Sequence, residues 1–342
     1  MPASLQDLTS ISQSLEREKV PASLKEDILS KGARALRASF LESERFLEYV
    51  GWVVSLPWEK ATEDVLDLTA AKNVLDSAHH GLSQIKERIL EYIAVMKLAR
   101  KKDVLGELRA PILCFVGLVG TGKTTIAASI ARALGRKFVR IAFGGLGDPG
   151  MLRGEASYRV GEPGQVIKAL RRAQAKNPVI LLDEIDRIVE DARASIMGVL
   201  VEMLDPDQNH AFVDSYIDYP FDLSQVLFVV TANNTTNIAT AVLDRLEVIQ
   251  MPSYTDEEKV VIGRDFLLPK ILAEAGIEAN QVRIEDSVWS LIVRPLGFDA
   301  GMRTLERTIQ AVVRKLARLV VEGKATAFQL NETNIKEYLP TW

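Results

Sequence analysis

Two short stretches hold residues whose types and spacing suit phosphate chemistry. The first is "GLVGTGKTT", residues 117–125, in which Gly117, Gly122, Lys123 and Thr124 fit the spacing G-x-x-x-x-G-K-[ST]. It follows the apolar run Ile112 to Val116 and precedes a helical pattern through Ile126, Ile130, Ala131 and Leu134. Glycines let such a loop wrap tightly, so that backbone N–H groups converge on phosphate oxygens where a helix N-terminus adds a favourable field. Lys123 is placed to reach terminal phosphates as a point charge, and the Thr124 hydroxyl to complete a magnesium shell. Gly120, Thr121 and Thr125 complete the cofactor-binding loop.

The second stretch is "VILLDEID", an apolar strand pattern ending in Asp183 and Glu184. One carboxylate at a strand end can hold magnesium while its neighbour polarises an attacking water, which is the acid pair that phosphate hydrolysis needs. A third polar residue, Asn233 in "VVTANN", stands just beyond the next apolar strand. In a parallel sheet it emerges beside Asp183, placed to orient water.

Positioning these groups requires strands that alternate with helices. Runs at 112–116, 137–141, 179–183 and 226–231 are short and rich in branched side chains, with helical patterns between them, which argues for a parallel sheet covered on both faces. Before this region, residues 1–60 read as a helical segment broken at Pro21, with apolar positions Leu24, Ile28, Phe40, Leu41, Phe46 and Val50, ending at "SLPW". A helix pair follows, turning at "HHG", residues 79–81. From 253 the pattern is helical again: Thr255 and Glu258 make a capping box, Leu305 to Val320 keeps helical spacing and Gly323 stops it. The expected organisation is 1–60 helical, 61–252 α/β nucleotide-binding and 253–342 a small helical lid.

The 342 residues are 47% hydrophobic, enough for a large core, and hold no apolar run of bilayer length. The chain reads as cytoplasmic and not secreted. Its one cysteine, Cys114, lies inside a strand pattern and reads as a buried structural thiol. Acidic residues outnumber basic ones 46 to 42, which weighs against nucleic acid as the main partner despite the cluster Lys97, Arg100, Lys101 and Lys102.

The combination resembles the AAA+ ATPases, and the wording is closer still to the ATPase region of the Lon proteases: "GLSQIKERILEYIAV", "NPVILLDEIDR", "EMLDPDQNHAF", "YPFDLSQVLFVVTANN", "VLDRLEVI" and "GMRTLERTI" occur in order from about residue 45 to about 340. The resemblance implies an α/β fold with a parallel five-stranded sheet and a helical lid. It implies ATP and Mg2+ as ligands, with Lys123 and Thr124 on phosphate and metal, Asp183 on metal, Glu184 activating water and Asn233 as first sensor. Arg245 resembles a finger offered to a neighbouring subunit, Arg303 a second sensor, and His79, His80 and Tyr92 the adenine-side surface. Family members form hexameric rings that draw unfolded polypeptide through a pore, gripping it with an aromatic residue whose place here is taken by Tyr158.

Several positions depart from that pattern. Leu118 and Val119 replace two prolines, Arg159 and Val160 follow Tyr158 where an apolar residue and a glycine are usual, and Ala192 stands where a second pore aromatic is expected. The chain ends at "EYLPTW", near where the peptidase domain of that family begins, and no peptidase activity is expected of it. Two other readings share the motifs: a DNA-acting AAA+ machine of the clamp-loader or branch-migration type, and a nucleotide-binding regulatory scaffold.

Overall fold

The computed structural model describes residues 8–101, 112–155, 161–294 and 301–340. The chain folds as two compact units: Met1–Val74, Ile85–Val116 and Thr124–Ile249 form the first, and Leu75–Gln84, Gly117–Lys123 and Gln250–Trp342 the second.

The first unit is built on strands β1 (Ile112–Val116), β2 (Phe138–Ala142), β3 (Val179–Asp183), β6 (Leu227–Ala232) and β7 (Leu246–Gln250), with the hairpin β4 (Phe212–Asp214) and β5 (Tyr219–Phe221) beside them in sequence. The sheet order is β2-β3-β6-β1-β7, and the pairs β2–β3, β3–β6 and β6–β1 run parallel. β3 and β6 are buried along their whole length, which is why they read as continuous apolar runs. The register pairs Leu182 with Val230 and Val116 with Ala232, so β1, β3 and β6 finish on the same edge of the sheet. That edge is where an open α/β sheet carries its chemistry. The fifth strand, β7, was not among the strand-like runs of the sequence, because only Leu246 and Ile249 in it are buried.

Helices Leu8–Arg17, Ala22–Ala35 and Phe40–Val54 precede the sheet. Pro21 sits at the N-cap of the second, and Ser39 caps the third by accepting from the Glu42 N–H at 3.3 Å. Ile11, Leu15, Leu24, Ile28, Phe46, Tyr49 and Val53 are buried in one core with the sheet, and the Tyr49 hydroxyl donates to the Ile217 carbonyl at 3.1 Å. Phe40 and Leu41 belong to the apolar pattern but stand 78% and 56% exposed.

The second unit holds the helices Asp256–Ile262, Leu268–Glu274, Trp289–Val293 and Arg303–Val321 around Trp289, Leu272, Leu305, Ile309, Val312 and Leu316. The capping box of Thr255 and Glu258 is formed, and Gly323, at φ +69°, follows the end of the long helix. The tail is not helical throughout: β8 (Val282–Ile284) and β9 (Phe328–Leu330) pair in parallel. Among the described residues, no helix is long and apolar enough to cross a membrane.

Candidate functional site

The loop after β1 is shaped by glycine and held by its own unit. Gly120 and Gly122 take φ of +85° and +92°. The Gly120 carbonyl accepts from the Met302 N–H at 2.9 Å, and a Cβ on Gly301 would lie 2.4 Å from the Val119 oxygen. Only glycine permits that approach. Thr121 donates to the Leu118 carbonyl at 2.9 Å, and its own carbonyl accepts from the Tyr254 hydroxyl at 3.2 Å. Tyr254 is buried, which pushes its phenol pKa up and keeps it a donor.

Lys123 opens the helix Lys123–Ala133 and is only 7% exposed, its Nζ donating to the carbonyls of Gly117 at 2.7 Å and Leu118 at 3.0 Å. A buried ammonium is suited to an ionised acceptor, since a hydrogen bond to an ionised oxygen is roughly twice as strong. Thr124 and Thr125 are exposed on the first turn of the same helix. Glycine curvature, a helix start and a buried lysine make this loop a fit for the phosphates of a nucleotide.

The acids at the end of β3 are organised by one hydroxyl. Thr231 on β6 donates from Oγ1 to Asp183 Oδ1, and the same oxygen accepts from the Glu184 N–H at 3.0 Å. Asp183 Oδ2 accepts from Arg140 Nε at 2.6 Å. Asp183 is buried, whereas the Arg140 side chain, in the middle of β2, is 52% exposed. Glu184 takes φ +59° and ψ +49°, a left-handed conformation that costs a non-glycine residue on the order of 1 kcal/mol or more and turns its side chain off the strand direction. Its Oε2 lies 3.5 Å from Arg187 Nη1. The Asp183 carboxylate and the Thr124 hydroxyl are hard oxygen ligands of the kind magnesium takes, so the residues present fit that ion.

Asn233 is part-buried beyond β6, and its Nδ2 lies 3.4 Å from Asp186 Oδ2. Arg245, two residues past the short helix Thr240–Leu243, donates from Nη2 to Asp205 Oδ2 at 2.5 Å and from Nη1 to the Ala241 carbonyl at 2.6 Å. Arg303 is exposed at the start of its helix, next to the Met302 that bonds to Gly120. His79 is buried, and the His80 ring lies edge-on to Phe266 with centroids 6.3 Å apart. Tyr92 is half-buried, and desolvation raises its phenol to about 12. Burial likewise pushes the Cys114 thiol up to about 12, as an inert core sulfur requires. Tyr158 lies outside the described residues, as do Arg159 and Val160.

Sequence reasoning missed the residues that hold these groups. Thr231 carried a usable signal, since it is a polar residue inside the apolar run that leads to Asn233. Arg140, Tyr254 and Asp205 carried none, because each acts on a partner far away in the chain.

Residues 113–254 match the ATPase family associated with various cellular activities (AAA), and residues 273–328 match the Lon protease AAA+ ATPase lid domain. The chain is 42% identical over 337 residues to a Lon protease of Lawsonia intracellularis, an alignment covering 98% of this chain and 40% of that protein. With a Lon protease of Dictyoglomus thermophilum it shares 48% over 279 residues, 81% of this chain and 34% of the other. For the Lon protease of Clostridioides difficile the figures are 43% over 331 residues, 96% and 41%. The chain thus spans about two fifths of the length of these curated relatives, or less. An AAA domain on the five-stranded sheet, followed by a Lon-type lid, places the chain in the AAA+ ATPase family as a module of the Lon type.

Proposed function

We propose that the chain is the motor of a Lon-like protease: it hydrolyses ATP and uses the cycle to unfold and draw polypeptide through a ring of six copies in the cytoplasm. The observation that carries the reading is the Thr231 hydroxyl, which holds Asp183 and Glu184 together at the sheet edge where β1 also ends. A buried carboxylate beside a part-exposed one separates a metal ligand from a base.

In this reading Gly117, Gly120, Thr121, Gly122 and Thr125 present the loop to the phosphates, and Lys123 takes the terminal one. Thr124 and Asp183 would hold magnesium, which would supply neutralisation of phosphate charge. Glu184 accepts the proton of a water that Asn233 orients toward the terminal phosphorus. The new P–O bond forms as the bond to the leaving diphosphate oxygen breaks, and ADP and phosphate depart. Arg303, and Arg245 from a neighbouring copy, offset charge on the transferring phosphoryl group. His79, His80 and Tyr92 border the adenine, and Tyr158 grips the polypeptide. The division at residues 60 and 252 separates the preceding helices, the hydrolytic part and the lid. An acidic balance of 46 to 42 supports polypeptide over nucleic acid as the cargo.

Turnover of ATP, measured with unfolded protein and separately with DNA, tests the reading. Stimulation by the unfolded protein alone is expected; stimulation by DNA alone overturns it in favour of a nucleic-acid machine.

A further inference from the structure

Asp205 is fixed more firmly than an ion-pair partner on the surface needs to be. It caps the helix Arg193–Leu204, its N–H donating to the Val201 carbonyl at 2.9 Å. Its Oδ1 accepts from the Asp207 N–H at 2.9 Å and its Oδ2 from Gln208 Nε2 at 3.1 Å, so local donors set the carboxylate before Arg245 arrives. The Arg245 guanidinium holds the carboxyl below the usual range, with the Asp207 N–H adding to the effect, and the side chain stays ionised at neutral pH. The pair is partly shielded, Arg245 at 28% and Asp205 at 13% side-chain exposure.

The Ala241 carbonyl takes the other terminal nitrogen of Arg245, so two acceptors at 2.5 Å and 2.6 Å fix the plane of the guanidinium. These bonds use one N–H of each terminal nitrogen in a group that carries five donors. An arginine left on its own samples many rotamers, and ordering it for a distant phosphate costs side-chain entropy. Here that ordering is already done within the subunit that owns the arginine.

We propose that Asp205 is a positioning residue for hydrolysis in the neighbouring copy: it aims Arg245 outward in a fixed orientation and does not hold it in reserve. The proposal rests on the reading of Arg245 as a finger acting between subunits. It assigns to the "LDPDQ" turn, residues 204–208, a share in the reaction of a nucleotide bound by a different chain.

Mixed assemblies test it. Asp205→Ala, and Asp205→Asn as the isosteric variant should the first fold poorly, are assayed at concentrations where turnover per wild-type chain has levelled off. Each alone is expected to lose turnover roughly ten- to a hundredfold with ATP affinity retained, and to add little to the loss in Arg245→Ala, since a misplaced group acts like a missing one. Mixing Asp205→Ala with Glu184→Gln is then expected to raise turnover above that of either alone. The Glu184→Gln neighbour lends an intact finger to a subunit whose own acids work. The same mixture with Arg245→Ala added to the Glu184→Gln chain shows no rise.

No rise in the first mixture, or wild-type turnover in the Asp205 variants, overturns the positioning role and leaves the finger standing. Faster turnover in the Asp205 variants overturns it too, because that is the mark of a restraint. Wild-type turnover in Arg245→Ala removes the finger itself.

Discussion

Two buried aspartates of the same α/β unit are compensated in opposite ways. Asp183, at the end of β3, has a hydroxyl on one oxygen and the half-exposed Arg140 on the other. Asp214, at the end of β4, has backbone amides: Gly164 at 2.8 Å, Tyr216 at 2.9 Å and Ile217 at 3.1 Å. A Cβ on Gly154 would stand 2.7 Å from Asp214 Oδ1, so this acid lies against Gly154 as well as Gly164. Burial outweighs these donors and raises its pKa to about 6. A cation on a flexible stem can leave when a metal arrives; an amide cage cannot. Asp183 can therefore exchange a partner, as its proposed metal role asks of it, while Asp214 keeps its own.

The acids differ most in what their neighbours do for turnover. Glu184→Gln, next to Asp183, is expected to slow ATP hydrolysis roughly a hundredfold or more while nucleotide stays bound, read by phosphate release and by retention of labelled ATP. No variant at Asp214 is expected to do this without first costing stability. Asp214→Ala leaves three N–H groups without their acceptor and is expected to lower unfolding free energy by about 3 to 5 kcal/mol. Asp183→Ala, whose Arg140 is free to turn to water, costs about 1 to 2 kcal/mol in the same urea titration. Equal losses would erase the distinction between the two acids.

The pH dependence sharpens it. Asp214 goes from an ordinary 3.8 to about 6 on folding, so its neutral form is the one the fold favours. The stability this contributes is fully present below about pH 4 and is lost as pH rises through 6, a change of about 3 kcal/mol. The difference in stability between the wild type and Asp214→Asn, followed from pH 3 to pH 7, should fall by that amount. A rise with pH reverses the sign and contradicts the burial argument. The smallest effect is expected of Thr231→Val, which keeps shape but removes the shared hydroxyl, for about 1 kcal/mol. Turnover drops about tenfold with it, as Glu184 loses the oxygen that holds its N–H.

What the sequence revealed of this site was chemistry carried by neighbours in the chain. Gly117 to Thr125 and the pair Asp183–Glu184 are contiguous, so spacing alone carries their meaning, and the sheet follows from the apolar runs that must flank them. What escaped was compensation. Arg140 meets Asp183 across 43 positions, Arg245 meets Asp205 across 40, and Gly164 meets Asp214 across 50. A lone arginine or aspartate gives no sign of such a partner until the strands are paired. β7 escaped for a related reason, since an edge strand with two buried side chains lacks the continuous apolar run that marks β3 and β6. The short pair β8–β9 is hidden in the same way, each strand being three residues long within a helical tail.

The central claim is that a nucleoside triphosphate is held by the loop and cleaved by the acids at the sheet edge. Calorimetric titration of the Glu184→Gln chain with MgATP, with and without Lys123→Ala, tests it most directly. The account predicts saturable binding at one site per chain, weakened tenfold or more by loss of the lysine, since a charge-assisted contact to phosphate is worth about 1.5 to 3 kcal/mol. Equal affinity in the two chains would contradict it.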